Sequence, residues 1–327
     1  MDIQILLALQ TLRESIGGCL NSFFAFLTTI AVDYYIMLPG MILFWAVSKR
    51  SGLIGLGSYG AACYGVSALK STFCVYRPWV RSSLIEPLPE VMSGATGYSF
   101  PSGHSSSVSG MYGGLIAAYR KYKGLCALLV AMIALTMFSR LYVGVHTPQD
   151  VLAGLLVGTV GTALVLLAER FVRRHPNLDW VVVVAVAVMC AILLPYIYFK
   201  SYPMDYVDGK LLVDPTKMTV GGFKDPGRLF GVVMGWFVER RWIRFDTDGT
   251  PIQKVTRCLV GALLFVFYWT VVMEPVGKAV GIGIVHFFLQ ASAPFLFMTV
   301  YPLLFQRVEG RSKLRGKAKE KNQPFQP

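Results

Sequence analysis

The feature that most constrains this chain is a succession of about nine long apolar runs joined by short polar connections. They fall at roughly residues 21 to 47, 52 to 71, 103 to 120, 124 to 141, 148 to 171, 179 to 199, 219 to 239, 257 to 275 and 282 to 305. A helix of about 20 residues crosses the hydrocarbon of a bilayer, and in lipid every backbone polar group must be satisfied within the segment. With 327 residues, 54% of them hydrophobic and 15% charged, the expected fold is all-α, a polytopic membrane helix bundle. The seventh run is interrupted by Gly221, Gly222, Lys224, Asp225, Pro226, Gly227 and Arg228. It reads as a full span, as a shorter helix beginning at Pro226, or as a re-entrant element.

The net charge of +13 would suggest a nucleic-acid partner in a soluble chain, but here the basic residues sit mainly in the connections. That is a topology signal and excludes a nucleic-acid footprint. About two thirds of the 31 Lys and Arg fall on one side of the segment map, together with the basic tail. The positive-inside rule places that side in the cytoplasm and the N-terminus outside. Six scattered cysteines without a Cys-x-x-Cys pair give neither a disulfide framework nor a zinc site. Met1 to Ile16 has no basic leader or cleavage site, and it spaces Ile5, Leu6, Leu9, Leu12 and Ile16 as on one helix face. The organisation expected is an interfacial helix over 1–18, a transmembrane core over 20–172, further spans over 178–306 and a basic cytoplasmic tail over 307–327.

Between Lys70 and Asp150, ionisable and hydroxyl residues recur where apolar runs end. Lys70 is followed after six residues by Arg77-Pro78; Pro101-Ser102-Gly103-His104 comes next; then Ser139-Arg140, His146 and Asp150. All fall on the face opposite the basic one. Taken singly each has an ordinary reading: a cation at a helix end snorkels, and Ser-Gly starts a helix. Together they make an anion site. A lysine and two arginines offer a point charge and planar forks, and Gly103 at a helix N-terminus lets backbone N–H groups approach an anion. Thr147 and Pro148 are placed to start a helix that puts Asp150 one turn from His146, where a carboxylate can hold one imidazole nitrogen protonated and leave the other to attack.

In these three stretches, Lys70 to Pro78, Pro101 to His104 and Ser139 to Asp150, the sequence resembles the type 2 phosphatidic acid phosphatase superfamily, which includes lipid phosphate phosphatases, glucose-6-phosphatase and the vanadium haloperoxidases. The resemblance covers about a quarter of the chain and departs from the pattern at none of its defining positions. It implies that His146 is a nucleophile forming a phosphohistidine, that Asp150 orients it, and that His104 protonates the leaving group. It also implies that Lys70, Arg77, Ser102, Gly103 and Arg140 bind the phosphoryl oxygens, and that no metal or other cofactor is needed.

The expected function is therefore an integral membrane phosphatase acting on a lipid phosphomonoester or pyrophosphate at the extracytoplasmic face, with a membrane lipid as substrate. Phosphatidate, phosphatidylglycerophosphate, a sphingoid-base phosphate and undecaprenyl diphosphate remain open. So do a sugar phosphate, transfer to another lipid in place of water, and a non-catalytic scaffold or transporter. The membrane expected is the bacterial cytoplasmic one with the site outward, or the endoplasmic reticulum with a lumenal site. Outside the motifs, Asp33 and His286 are ionisable groups inside spans that either line the substrate path or make structural hydrogen bonds. The connection Lys200 to Lys224 either covers the site or is a solvated loop.

Overall fold

The computed structural model describes residues 2–31, 33–207 and 209–321; the side chains of Asp33, Tyr34 and residues 311–321 also lie outside what it describes. Apart from one two-stranded hairpin, β1 (Tyr206–Val207) with β2 (Lys210–Leu211), the described elements are helices. In order they are α1 (Asp2–Ser15), α2 (Asn21–Ile30), α3 (Asp33–Ala46), α4 (Lys49–Phe73), α5 (Pro78–Arg81), α6 (Pro89–Met92), α7 (Gly103–Ala118) and α8 (Lys123–Tyr142). There follow α9 (Pro148–Arg174), α10 (Trp180–Phe199), α11 (Pro215–Val238), α12 (Pro251–Phe267), α13 (Glu274–Ala279), α14 (Gly283–Met298) and α15 (Val300–Lys321).

Local chemistry sets the helix ends. Ser48 caps α4 by accepting from the Ser51 N–H, and Cys74 closes it in the left-handed region at φ 49°. Thr147 with Asp150, and Thr250 with Gln253, form capping boxes for α9 and α12, each with proline in the first turn. The second expected run begins three residues earlier than hydropathy alone placed it, because the Ser48 cap lies outside the apolar stretch.

α4 is the hub, packed against α3, α7, α9 and α11, and α11 in turn runs along α14. A buried cluster that includes Trp45, Tyr59, Met111, Phe265, Phe297 and Tyr301 joins the first helices to the last ones. The outer surface is apolar as well: Leu152, Leu156, Val160, Leu164 and Leu167 form one exposed stripe along α9. Among the described residues, six helical segments are long and apolar enough to cross a membrane, or up to seven if α2 and the helix after it make one bent span. The other two expected runs also form helices, but α7 has 16 residues and α11 carries Lys217, Lys224, Asp225 and Arg228.

At one end of the bundle the basic residues are tied down by acids. Lys49 meets Glu239 at 2.6 Å, Arg50 meets Glu169 at 2.9 Å, and Arg257 meets Glu309 at 2.7 Å, while Asp179 takes both Arg240 and Arg241. At the other end α1 leans on α5 through Asp2–Arg81 at 2.7 Å and on the loop after it through Arg13, which donates to the Glu86 carbonyl. The side chain of Asp33 lies outside the described residues. His286 donates through Nε2 to the Val280 carbonyl at 2.7 Å, the structural hydrogen bond of the two readings given above.

The seventh run takes the full-length form of the three left open by its sequence. α11 is one continuous helix from Pro215 to Val238, with Pro226 inside it, and neither begins at Pro226 nor turns back. The glycines that look like breaks in the sequence are instead where two backbones meet. A Cβ on Gly227 would stand 2.2 Å from the Phe287 carbonyl oxygen, and one on Gly231 would stand 2.1 Å from that of Ala291. Small residues permit such approach between helices in lipid, where packing replaces the hydrophobic effect as the cohesive force. Gly231→Val is therefore expected to cost about 1–3 kcal/mol, read as a lower melting temperature of the detergent-solubilised protein. Gly221→Ala, whose Cβ would meet nothing within 4 Å, should not lower it.

Candidate active site

Four helix ends converge at the end of the bundle away from the acid-paired basic residues. Lys70 lies in the last turn of α4, Gly103 and His104 open α7, Arg140 lies in the last turn of α8, and Asp150 opens α9. Arg77 sits just before Pro78, in extended conformation, at the start of α5. Lys70, Arg77, Gly103, His104 and His146 all line a cavity of about 270 Å³. Ser102 and Arg140 are brought close but do not line it. The Ser102 hydroxyl caps α7, accepting from the N–H and the hydroxyl of Ser105. Arg140 is 1% exposed; its Nη1 donates to Thr28 Oγ1 at 2.9 Å, and its Nε has no hydrogen-bond partner.

The Asp150 carboxylate organises the centre. Its Oδ2 accepts from the Thr147 N–H at 2.7 Å and from the Ser99 hydroxyl at 2.5 Å, and lies 3.5 Å from His146 Nδ1. Its backbone carbonyl accepts from the Ser102 N–H, stitching α9 to the start of α7. One residue thus serves as a helix cap, an interhelical tie and a histidine partner.

The tautomer of His146 follows from its neighbours. Arg77 Nη1 lies 2.9 Å from Nε2, and since a guanidinium only donates, Nε2 is the nitrogen with the lone pair. The proton is then on Nδ1, directed at Ser99 Oγ at 3.3 Å and at Asp150. Burial, reinforced by the positive charges of Arg77, Arg140 and Lys70, holds the imidazole well below its ordinary value of 6.5, so it is neutral at pH 7. Arg77 is itself fixed by donating to the Gly97 and Val145 carbonyls, both at 2.9 Å.

Four residues at the site escaped the sequence reading. Ser99 bridges Asp150 and His146, but a serine in Tyr98-Ser99-Phe100 carries no spacing signal of its own. Lys217, Asp225 and Arg228 on α11 line the same cavity. For Asp225 and Arg228 a signal was present, since charges inside an apolar run mark functional positions, but it was read as an interruption of the span; Lys217 lies before that run. The segment Lys200 to Lys224 does lie against the motif loops. Tyr202 stacks on Tyr98 with ring centroids 6.4 Å apart, Val213 and Met218 complete a small cluster there, and Asp205 accepts from the Tyr76 hydroxyl. Among the described residues no group of three or more His, Cys, Asp and Glu side chains is placed to hold a metal ion.

Fold and site together define a class: a polytopic helical protein whose helix ends frame a cation-lined cavity around a buried, carboxylate-held histidine. The family can be stated as well. Residues 51–174 match the family model described as PAP2 superfamily, and residues 223–314 match that of PAP2 superfamily phosphatase, transmembrane extension. The chain belongs to the PAP2 superfamily, that of the type 2 phosphatidic acid phosphatases. An undecaprenyl-diphosphatase of Sulfolobus acidocaldarius is 31% identical over 144 residues, which are 43% of this chain and 66% of that protein. No solved structure matches the chain.

A protein with only four histidines lends itself to nitrogen NMR. With labelled histidine, His146 is expected as the neutral Nδ1–H tautomer at pH 7. Because its pKa is lowered, it should stay neutral as the pH falls through 6.5 and gain its second proton only below that value. A protonated or Nε2–H ring at pH 7 would contradict the network described here.

Proposed function

We propose that this chain is a metal-independent membrane phosphatase that hydrolyses a lipid phosphomonoester or diphosphate through a phosphohistidine at His146. The observation that carries the reading is the His146 ring itself, with an unprotonated Nε2 in a cation-lined cavity and Nδ1 tethered to a buried carboxylate. A structural histidine would have no use for both.

In this mechanism a phosphoryl group enters among Lys70, Arg77 and the N-terminus of α7, where the N–H groups around Gly103 favour an anion. Arg77 Nη1 turns its N–H from Nε2 to a phosphoryl oxygen, which frees the nucleophile at the moment the substrate is seated. Arg140, whose buried Nε has no partner, supports the same charge from behind. Nε2 attacks phosphorus while His104, whose protonated form the bound phosphoryl anion stabilises, gives a proton to the departing oxygen. The positive charge that develops on His146 is stabilised by Asp150, directly and through Ser99. Water, deprotonated by His104, then releases phosphate and restores the neutral ring.

A lipid substrate is supported by the setting. The cavity opens at the end of apolar helices, where a headgroup meets the pocket while its tail stays in the bilayer, and the relative from Sulfolobus carries the name of a lipid diphosphatase. The extracytoplasmic location of the site is supported by the excess of Lys and Arg at the opposite end.

The deciding experiment is phosphate release by detergent-purified protein in the presence of chelator, across phosphatidate, sphingosine-1-phosphate, undecaprenyl diphosphate and glucose-6-phosphate. Release that chelator spares and His146→Ala abolishes is the expected result; release that requires added metal would defeat the mechanism. Ser99→Ala should lower kcat roughly tenfold, about 1.4 kcal/mol of barrier, with KM little changed. The rising limb of kcat/KM against pH reports the neutral His146 and should lie below 6.5, because the depressed pKa keeps the nucleophile available as pH falls.

A further inference from the structure

The mechanism above draws on α4, α7, α8 and α9, yet one wall of the cavity belongs to α11. Lys217, Asp225 and Arg228 line it beside Lys70 and His104. Charged side chains on a helix threaded through an apolar bundle are costly, and they persist where a polar ligand is handled.

Arg228 is gripped from three directions. Nη1 donates to Asp225 Oδ1 at 3.0 Å, Nε donates to Gln290 Oε1 at 2.9 Å, and the guanidinium lies 5.9 Å from the centre of the Trp269 ring. Its side chain is only 12% exposed, and it lines the cavity. Asp225 also accepts from the Ser67 hydroxyl at 3.1 Å, one turn of α4 before Lys70. The carboxylate therefore fixes Arg228 and ties α11 to α4, while Lys217 stands exposed at the mouth. The wall adds two cations and one ion-paired carboxylate to a cavity that already holds Lys70 and Arg77. A planar guanidinium held rigid by a carboxylate and an amide is suited to recognising phosphate oxygens.

Size points the same way. A cavity of about 270 Å³ is many times the space that one water needs, so it is not confined to a single phosphoryl group.

We propose that Arg228 and Lys217 form a second anion subsite, Arg228 being held in place by Asp225 and Gln290, which takes the phosphoryl group of the leaving moiety of a lipid diphosphate. The proposal rests on the phosphatase reading of this cavity and makes α11 its specificity element. In the reaction His146 Nε2 bonds to the terminal phosphorus as its bond to the bridging oxygen breaks. The electron pair stays on that oxygen, which becomes a terminal oxygen of the departing lipid monophosphate and accepts the proton of His104. Water then cleaves the N–P bond to give inorganic phosphate. Arg228 and Lys217 hold the monophosphate on which charge accumulates in the first step.

The test uses the full chain and two substrates sharing one tail, farnesyl phosphate and farnesyl diphosphate. Arg228→Gln should lose at least tenfold more kcat/KM on the diphosphate than on the monophosphate, and Arg228→Lys should recover part of that selective loss. Lys278→Gln, on an exposed residue of α13 outside the cavity, should change neither. Equal losses of Arg228→Gln on both substrates would overturn the subsite while leaving the phosphatase reading intact. Release of phosphate from neither substrate by the wild type would instead count against that reading. The subsite is then judged without turnover, by thermal-shift binding of methylenediphosphonate against inorganic phosphate. Tighter binding of the diphosphonate that Arg228→Gln removes supports it, and equal binding of the two overturns it.

Discussion

The structure depends on one buried carboxylate. Asp150 ends the loop that carries His146, caps the longest helix of the core, and reaches Ser99 and, through its backbone, Ser102. An ionised group so deep is tolerable only because each bond it accepts offsets part of its desolvation. On the other side of the ring Arg77 donates to Nε2, so the imidazole proton faces Asp150 and Ser99. Helix geometry and the setting of His146 thus share one residue.

Much of this was legible in the sequence because two independent codes coincide. Hydropathy located the helices, and Lys70, Arg77, His104, Arg140, His146 and Asp150, singled out by their spacing, fall together at one end of them. What hydropathy could not see was how helices meet. The Gly221-to-Arg228 stretch reads as an interruption when each segment is considered alone, since glycine and proline weaken an isolated helix. In the bundle, Gly227 and Gly231 seat α11 against α14, and the helix stays whole. Ser99 was invisible for a different reason: a hydroxyl acts here by being within reach of two partners from α9 and the loop before it, which no local pattern encodes.

Ser102 and Arg140 show how a motif position and a contact differ. Both belong to the pattern, yet the hydroxyl of Ser102 is engaged in starting α7, and the guanidinium of Arg140 lies behind the cavity wall against Thr28. In the proposed mechanism their effect on an anion would be exerted through the helix terminus and through charge at short range in a medium of low dielectric constant, where direct contact is not required for a cation to count.

The two stretches that carry family likeness, 51–174 and 223–314, suggest a core with an appendage. The cavity does not respect that division. Lys217 falls between the two stretches and Asp225 and Arg228 fall in the second, yet all three wall the same space as His146. A fragment ending at residue 174 would keep every motif and lose a side of its reaction vessel. For chimeras and for truncations alike, the indivisible unit of this protein is larger than the unit by which its ancestry is recognised.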